Sequence, residues 1–262
     1  MYFNRETLLR DLQPSGQIDE QFTTKRERSV ELFAFVMPLR LKTIARSAED
    51  FARRILRPRA YMESTFAPFY TENRWGDDES VSGPGSSLTR TAKLRRELPL
   101  LLQEIDARTL LDAPCGDFNW MKDTQLGIEQ YTGADIIPDL ITRNRELYGN
   151  NKTQFVLLDL TRDKLPRVDV ILCRDCFIHF SYRHITAAIK NFKRSGSTYL
   201  LTNSYPAWRE NENIRTGDFR PLNLTLPPFN FPAPLRQINE KLPEEEALFF
   251  GKILGLWKLA DV

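Results

Sequence analysis

Three apolar stretches of the chain each run into an aspartate, and the spacing of these acids is the first sign of chemistry. They are Thr109-Leu-Leu-Asp112, Tyr131-Thr-Gly-Ala-Asp135 and the run 153–160, which contains Asp159. Asp112 is followed by Ala-Pro-Cys115-Gly116-Asp-Phe-Asn-Trp-Met. Gly116 allows the backbone to turn sharply there and to pass close to a ligand. An acid at Asp135, about 20 residues beyond such a turn, suits the hydroxyls of a ribose, because a carboxylate accepts two hydrogen bonds from a vicinal diol. Asp159 next to Leu160 sets an acceptor beside an apolar surface, which suits an adenine amino group and its flat face. Three acidic strand ends in order describe a nucleoside pocket without phosphate contacts. The dinucleotide fingerprint G-x-G-x-x-G is absent, with Pro114 and Phe118 where small residues are expected, so NAD is disfavoured.

A fourth apolar run, 168–173, leads into Arg174-Asp-Cys-Phe-Ile-His179. His179 titrates near neutral pH and is the candidate base. Asp175 is the alternative, and His184 is expected to be structural or exposed. Cys173 and Cys176 form a C-x-x-C pair with Cys115 as the third thiol, but no second pair completes a zinc set, so no metal is expected. Between residues 203 and 234 lies a long stretch rich in Pro, Asn and aromatics, and loops of that length are often functional. Trp208, Phe219, Phe229 and Phe231 are candidates to wall a substrate pocket, with Arg209, Arg215 and Arg220 for an anionic group.

The elements that must hold these residues can be read from the same pattern. Apolar runs at 109–113, 131–136, 153–160, 168–173 and 198–202 alternate with helical periodicity at 88–106, 140–148 and 182–194. Strands separated by helices mean an α/β, doubly wound, mainly parallel sheet, and the stretches 235–242 and 252–259 are expected to close it as an antiparallel edge pair. Residues 64–90 read as a polar loop. Residues 25–59 carry ten Lys/Arg against four Asp/Glu and an amphipathic period. We therefore expect a basic helical extension over 1–64, with residues 25–59 a candidate surface for weak membrane or protein docking, and a domain over 65–262. The whole chain of 262 residues has 37 basic and 35 acidic side chains, a balance that gives no support for nucleic acid as a partner. Three cysteines and no apolar leader fit a cytoplasmic protein.

With those elements in view, residues 109–203 resemble class I S-adenosylmethionine-dependent methyltransferases, a Rossmann-like fold. The family pattern is an acidic-x-Gly-x-Gly-x-Gly turn, then acidic second and third strand ends. A polar cluster follows the fourth strand, here Cys173-Arg-Asp-Cys-Phe-Ile-His179-Phe. The run Leu111-Asp-Ala-Pro-Cys-Gly-Asp-Phe-Asn-Trp-Met121 is similar to a bacterial subgroup. That subgroup also carries upstream Trp-Gly and Ser-Gly-Pro-Gly-Ser segments, here Trp75-Gly76 and Ser82-Gly-Pro-Gly-Ser86. Thr216-Gly-Asp-Phe-Arg-Pro-Leu-Asn-Leu224 fits it too, and the likeness spans roughly residues 65–260. The resemblance implies Asp112, Cys115 and Gly116 at the methionine end of the cofactor, Asp135 on the ribose, and Asp159 and Leu160 at the adenine, with Ile136 also binding the cofactor. It implies Arg174 and Asp175 beside the sulfonium. The implied activity is methyl transfer from S-adenosylmethionine to a small molecule or glycan, most readily at oxygen. Methylation at nitrogen, or a cofactor-binding but inactive subunit, is the alternative.

Overall fold

Residues Leu110, Leu111, Val170, Ile171, Leu172, Leu200 and Leu201 are all fully buried, and they alternate between two apolar clusters on opposite faces of one sheet. This is the period-two signature of strands covered on both sides. The computed structural model describes residues 58–240 and 251–262. Among them are seven strands: β1 Thr109–Asp112, β2 Gln130–Asp135, β3 Thr153–Leu157, β4 Val170–Cys173, β5 Tyr199–Ser204, β6 Arg236–Asn239 and β7 Ile253–Lys258. Their order across the sheet is β3-β2-β1-β4-β5-β7-β6. The first five strands pair in parallel. β7 runs antiparallel to both β5 and β6, which is the edge pair expected from the C-terminal stretches.

Helix α1, Pro58–Thr71, and helix α4, Tyr182–Ser195, cover one face; α2, Leu88–Glu104, and α3, Pro138–Tyr148, cover the other. Ser87 caps α2 by accepting from the Arg90 N–H, and Thr91, Leu94, Leu98, Leu101 and Leu102 form its buried stripe. In α4 the buried positions Ile185, Ala188, Ile189 and Phe192 follow the same spacing, and Gly196 ends the helix at φ 75.

Helix α1 corrects the reading of 64–90 as a loop from its first residue. It continues to Thr71 despite the interior Pro68, and it crosses the boundary expected at residue 64. Its Tyr61 and Met62 are buried in the core cluster beneath the sheet. Burial of these side chains outweighs the hydrogen bond that Pro68 cannot donate. The remainder of the basic extension, including the docking stretch 25–59 up to residue 57, lies outside the described residues.

β1 is flanked by β2 on one side and β4 on the other, so strand order reverses at its carboxyl end. Asp112 ends β1 opposite Gly133 and Leu172, and Asp135 ends β2 opposite Leu157. Ligands of open parallel sheets bind beyond such a crossover.

Candidate functional site

A cavity of about 280 Å³ opens at that crossover, and Asp112, Cys115, Gly116, Asp135, Ile136, Asp159, Leu160, Arg174, Asp175 and His179 all line it. Ten positions selected from the sequence thus converge on one space. The two central acids are buried, and neither forms a salt bridge among the described residues, although the charge of Arg174 acts on Asp112 against its burial. Asp135 accepts through Oδ1 from the N–H groups of Ile136 at 2.7 Å and Ile137 at 3.2 Å, and through Oδ2 from Gly116 at 3.2 Å. Burial nevertheless pushes its pKa up to about 6. Asp112 accepts a 2.6 Å bond from the Tyr131 hydroxyl, and burial pushes its pKa up to about 7. Asp159 uses Oδ1 to close its own turn, taking the Thr161 N–H and hydroxyl. Its buried Oδ2 lies 3.3 Å from Arg162 Nε without hydrogen-bond geometry.

The turn after β1 is fixed by residues that the search for acids did not select. Gly116 has φ +55, and a Cβ there would collide with the Ser82 hydroxyl. Its carbonyl accepts from the buried Asn144 side chain of α3 at 2.8 Å. Asp117 gathers the Ser80 and Ser82 hydroxyls and the Val81 N–H, while Ser82 Oγ accepts from the Asp117 N–H. Glu79 accepts from the Asn119 side chain and from the Leu88 N–H at the start of α2. The segment Ser82-Gly-Pro-Gly-Ser86 is thereby laced onto the turn and forms part of the cavity wall. A Cβ on Gly83 would stand 2.9 Å from Trp75, and one on Gly85 would stand 3.0 Å from Asp175. This close approach is the physical reason for glycine on both sides of Pro84.

Beyond β4 lies a buried network of four charges. Arg174 donates to Glu240 at 2.6 Å and contacts Asp175 at 3.1 Å. Lys252 reaches Asp175 at 2.7 Å and Glu240 at 3.1 Å. Asn203 donates to Glu240 and accepts from the Asp175 N–H, and Arg174 also donates to the Gly85 carbonyl. Burial alone would raise the Asp175 pKa, but Arg174 and Lys252 outweigh it and hold the carboxyl at about 2. Glu240 is lowered by the same two cations against its own burial. Asp175 holds a φ of 51, uncommon for a residue with a side chain. Glu240 and Lys252 went unnoticed in the sequence; β6 and β7 bring them to the site by ending and beginning beside it.

His179 sits in the short turn Phe177–His179, half-buried, between the rings of Trp75 at 5.9 Å and Phe219 at 5.8 Å. Its Nδ1 is 3.0 Å from the Asp218 carbonyl. A carbonyl oxygen only accepts, so Nδ1 carries the proton and Nε2 of the neutral ring is the bare, basic nitrogen. Burial lowers the His179 pKa below its usual 6.5, which keeps the ring neutral at physiological pH.

The loop after β5 does something other than expected. Of its four candidate aromatics, Phe219 lines the cavity; Phe229 packs edge-on against Tyr182, and Phe231 against Trp257. Trp208 and Arg209 are exposed, and neither is among the described residues lining the cavity. Arg220 is fully buried, and its guanidinium donates to the carbonyls of Phe177 at 2.6 Å, Phe180 at 2.8 Å and Glu212 at 3.2 Å. Burial pulls its pKa down to about 10, so it stays charged at neutral pH. These bonds tie Arg220 to the turn that carries His179. The Gly217 N–H on the His179 carbonyl and the Arg220 N–H on the Ile178 carbonyl reinforce it.

Cys115, Cys173 and Cys176 are all buried and unpaired as disulfides, and burial pushes the Cys115 and Cys176 thiols up. Among the described residues no three His, Cys, Asp or Glu side chains are grouped as a metal set. No helix among them is long and apolar enough to cross a membrane.

No protein-family model matches the chain, and no curated protein matches it. Solved structures do. The N-methyltransferase NodS from Bradyrhizobium japonicum WM9, in complex with S-adenosyl-L-homocysteine, aligns with a TM-score of 0.54 at 12% identity, covering 74% of this chain and 97% of that one. The magnesium protoporphyrin IX methyltransferase from Synechocystis PCC 6803, with bound S-adenosylmethionine, aligns with a TM-score of 0.51 at 15% identity, covering 76% and 96%. At such identities the likeness is one of fold: a Rossmann-like sheet shared with methyltransferases.

Proposed function

We propose that this chain is an S-adenosylmethionine-dependent methyltransferase that acts on a small molecule at oxygen. The observation that carries the reading is the convergence of Asp112, Asp135 and Asp159, each at or just past the carboxyl end of its strand, on one cavity beside the Gly116 turn. The cofactor fits this donor set. Asp135 is placed to take the ribose diol, with Ile136 beside it. The buried Oδ2 of Asp159, which accepts no hydrogen bond although Arg162 Nε lies 3.3 Å away, offers an acceptor to an adenine amino group, with Leu158 and Leu160 as apolar walls. Asp112 and Asp135 are buried acids without ion-pair partners among the described residues, which suits a cationic ligand. Both solved neighbours carry this cofactor or its product, which supports the choice.

When bound, S-adenosylmethionine supplies a methyl group on a positively charged sulfonium. The chain's own contribution is to orient and to move one proton. His179, with Nε2 bare, takes the proton of the acceptor hydroxyl. Asp175 is the weaker candidate for that task, because both its oxygens are held by Lys252 and Arg174 and its pKa is near 2. The test is calorimetry of the purified chain with S-adenosylmethionine, S-adenosylhomocysteine and NAD. The first two are expected to bind in the micromolar range, about −8 kcal/mol, and NAD not at all. Binding of NAD with no binding of S-adenosylhomocysteine overturns the reading.

A further inference from the structure

Part of the cavity wall is aromatic. Phe66 and Tyr70 of α1, Trp75, Phe180 and Phe219 line the cavity, with His179 between the rings of Trp75 and Phe219. The rings support one another: Phe66 lies 5.8 Å from Phe180, and Trp75 stacks at 4.8 Å on Phe69. Several polar side chains that line the cavity beside these rings are engaged inside the protein, and the Tyr70 hydroxyl and Arg90 line it as well. Ser82 Oγ both donates to and accepts from Asp117. Lys252 is shared between Asp175 and Glu240, and Asp175 between Lys252 and Arg174. The Ser86 carbonyl accepts from Asn119.

Resting on the methyltransferase reading above, we infer that the methyl acceptor is a flat aromatic molecule with a phenol-like hydroxyl, bound against Trp75 and Phe219 with that hydroxyl at Nε2 of His179. A polyhydroxylated acceptor such as a sugar would set several hydroxyls against the faces of Phe66, Trp75, Phe180 and Phe219, and each buried unpaired one costs about 1–3 kcal/mol. A planar ring loses nothing of the kind and gains offset or edge-to-face contact with the aromatic wall. The base points to the same class. Burial makes His179 a weaker base than free imidazole, and such a base is better matched to a phenol, whose pKa is about 10, than to a far less acidic alkyl alcohol. In the step itself the acceptor O–CH3 bond forms as the S–CH3 bond breaks. The bonding pair stays on sulfur as a neutral thioether, and the hydroxyl proton goes to His179 Nε2.

The full chain, saturated with S-adenosylhomocysteine, is titrated with 1-naphthol, 2-naphthol and 7-hydroxycoumarin, and with methyl α-glucoside as the polyol. Binding is read by calorimetry. The same panel is then offered with methyl-labelled S-adenosylmethionine. At least one phenol is expected to bind and to gain label at oxygen, and the glucoside to do neither. Phe219→Ala, at a side chain already 39% exposed, is expected to weaken phenol binding about 2- to 10-fold while S-adenosylhomocysteine affinity stays unchanged. His179→Gln is expected to keep phenol binding and to lose turnover. If S-adenosylhomocysteine binds but no phenol does, or if the glucoside is the compound that gains label, the acceptor class is wrong while the cofactor reading stands. If S-adenosylhomocysteine itself fails to bind, both fall.

Discussion

Asp135→Asn separates the ribose contact from the fold around it. Asparagine keeps the shape of the side chain and one acceptor, which can still take the Ile136 and Ile137 N–H groups at Oδ1. What changes is the second oxygen. It becomes an amide NH2 that faces the Gly116 N–H and offers a ribose hydroxyl a donor where it had an acceptor. Loss of a charged hydrogen bond costs about 1.5–3 kcal/mol, so affinity for S-adenosylhomocysteine should fall ~10–150-fold. The carboxyl has a pKa of about 6, and a proton competes with the diol below it. Wild-type affinity should therefore be about tenfold weaker near pH 5 than near pH 7.5, and the variant should lose that slope. The product is the right ligand because its sulfur is neutral, which removes the sulfonium from the comparison. Folding runs the other way. The folded pKa lies above the ordinary 3.8, so the apo fold holds this proton more tightly than the unfolded chain does. That contribution to stability is present at low pH and is lost, by roughly 3 kcal/mol, as pH rises through about 6. Asparagine carries no charge to bury, so apo Asp135→Asn near pH 8 should melt no lower than wild type while binding worse. Calorimetry at both pH values, with thermal melts alongside, decides. An Asn variant that binds within twofold of wild type, or a wild-type affinity flat across this range, refutes the ribose assignment.

Three further outcomes test other parts of the site. Gly116→Ala places a methyl against the Ser82 hydroxyl at a positive φ; this should cost about 1–2 kcal/mol for the backbone alone and abolish detectable S-adenosylhomocysteine binding in calorimetry. Arg220→Met removes three hydrogen bonds to backbone carbonyls, two of them buried, and should lower the melting temperature, with about 1.5–3 kcal/mol lost per charged bond at most; Trp208→Ala and Arg209→Ala, at exposed positions, should leave both melting and turnover of a confirmed acceptor unchanged. Lys252→Met leaves Asp175 and Glu240 facing each other with one cation between them and should destabilise the chain by about 3–5 kcal/mol in denaturant unfolding, as the breaking of a buried pair does.

What the sequence made legible is what period and strand ends encode. Leu110 and Leu111 and their counterparts in β4 and β5 are apolar on both faces, so the strands stood out as runs, and the acids that follow them stood out as interruptions. Asp112, Asp135 and Asp159 converge because parallel strands all present the same end to one side. The charged network was not legible for the opposite reason. Glu240 lies 66 residues from Arg174 and Lys252 77 from Asp175. They meet because β7 inserts antiparallel between β5 and β6, a register that no local pattern states. That Arg220 turns into the protein was not legible, because an arginine in a loop looks the same in sequence whether it faces solvent or a set of carbonyls. The helix running past the boundary expected at residue 64 was not legible, although Tyr61, Met62, Phe66 and Tyr70 repeat at helical steps across it.

The distribution of charge around the cavity explains why only some of these acids are candidates for the ligand. Arg174 and Lys252 are matched inside the wall by Asp175 and Glu240, two cations against two anions, with Asn203 and the Gly85 carbonyl taking remaining bonds. That network is neutral as a whole and its carboxyls are held ionised, so it presents a set surface rather than a free charge. Asp112 and Asp135 are the reverse. No ion pair among the described residues engages either, and burial raises the pKa of both. A carboxylate buried in this state costs the apo fold stability. A ligand that brings a diol to one and positive charge near the other turns that cost into binding energy, which is the physical case for reading these two residues as the cofactor's.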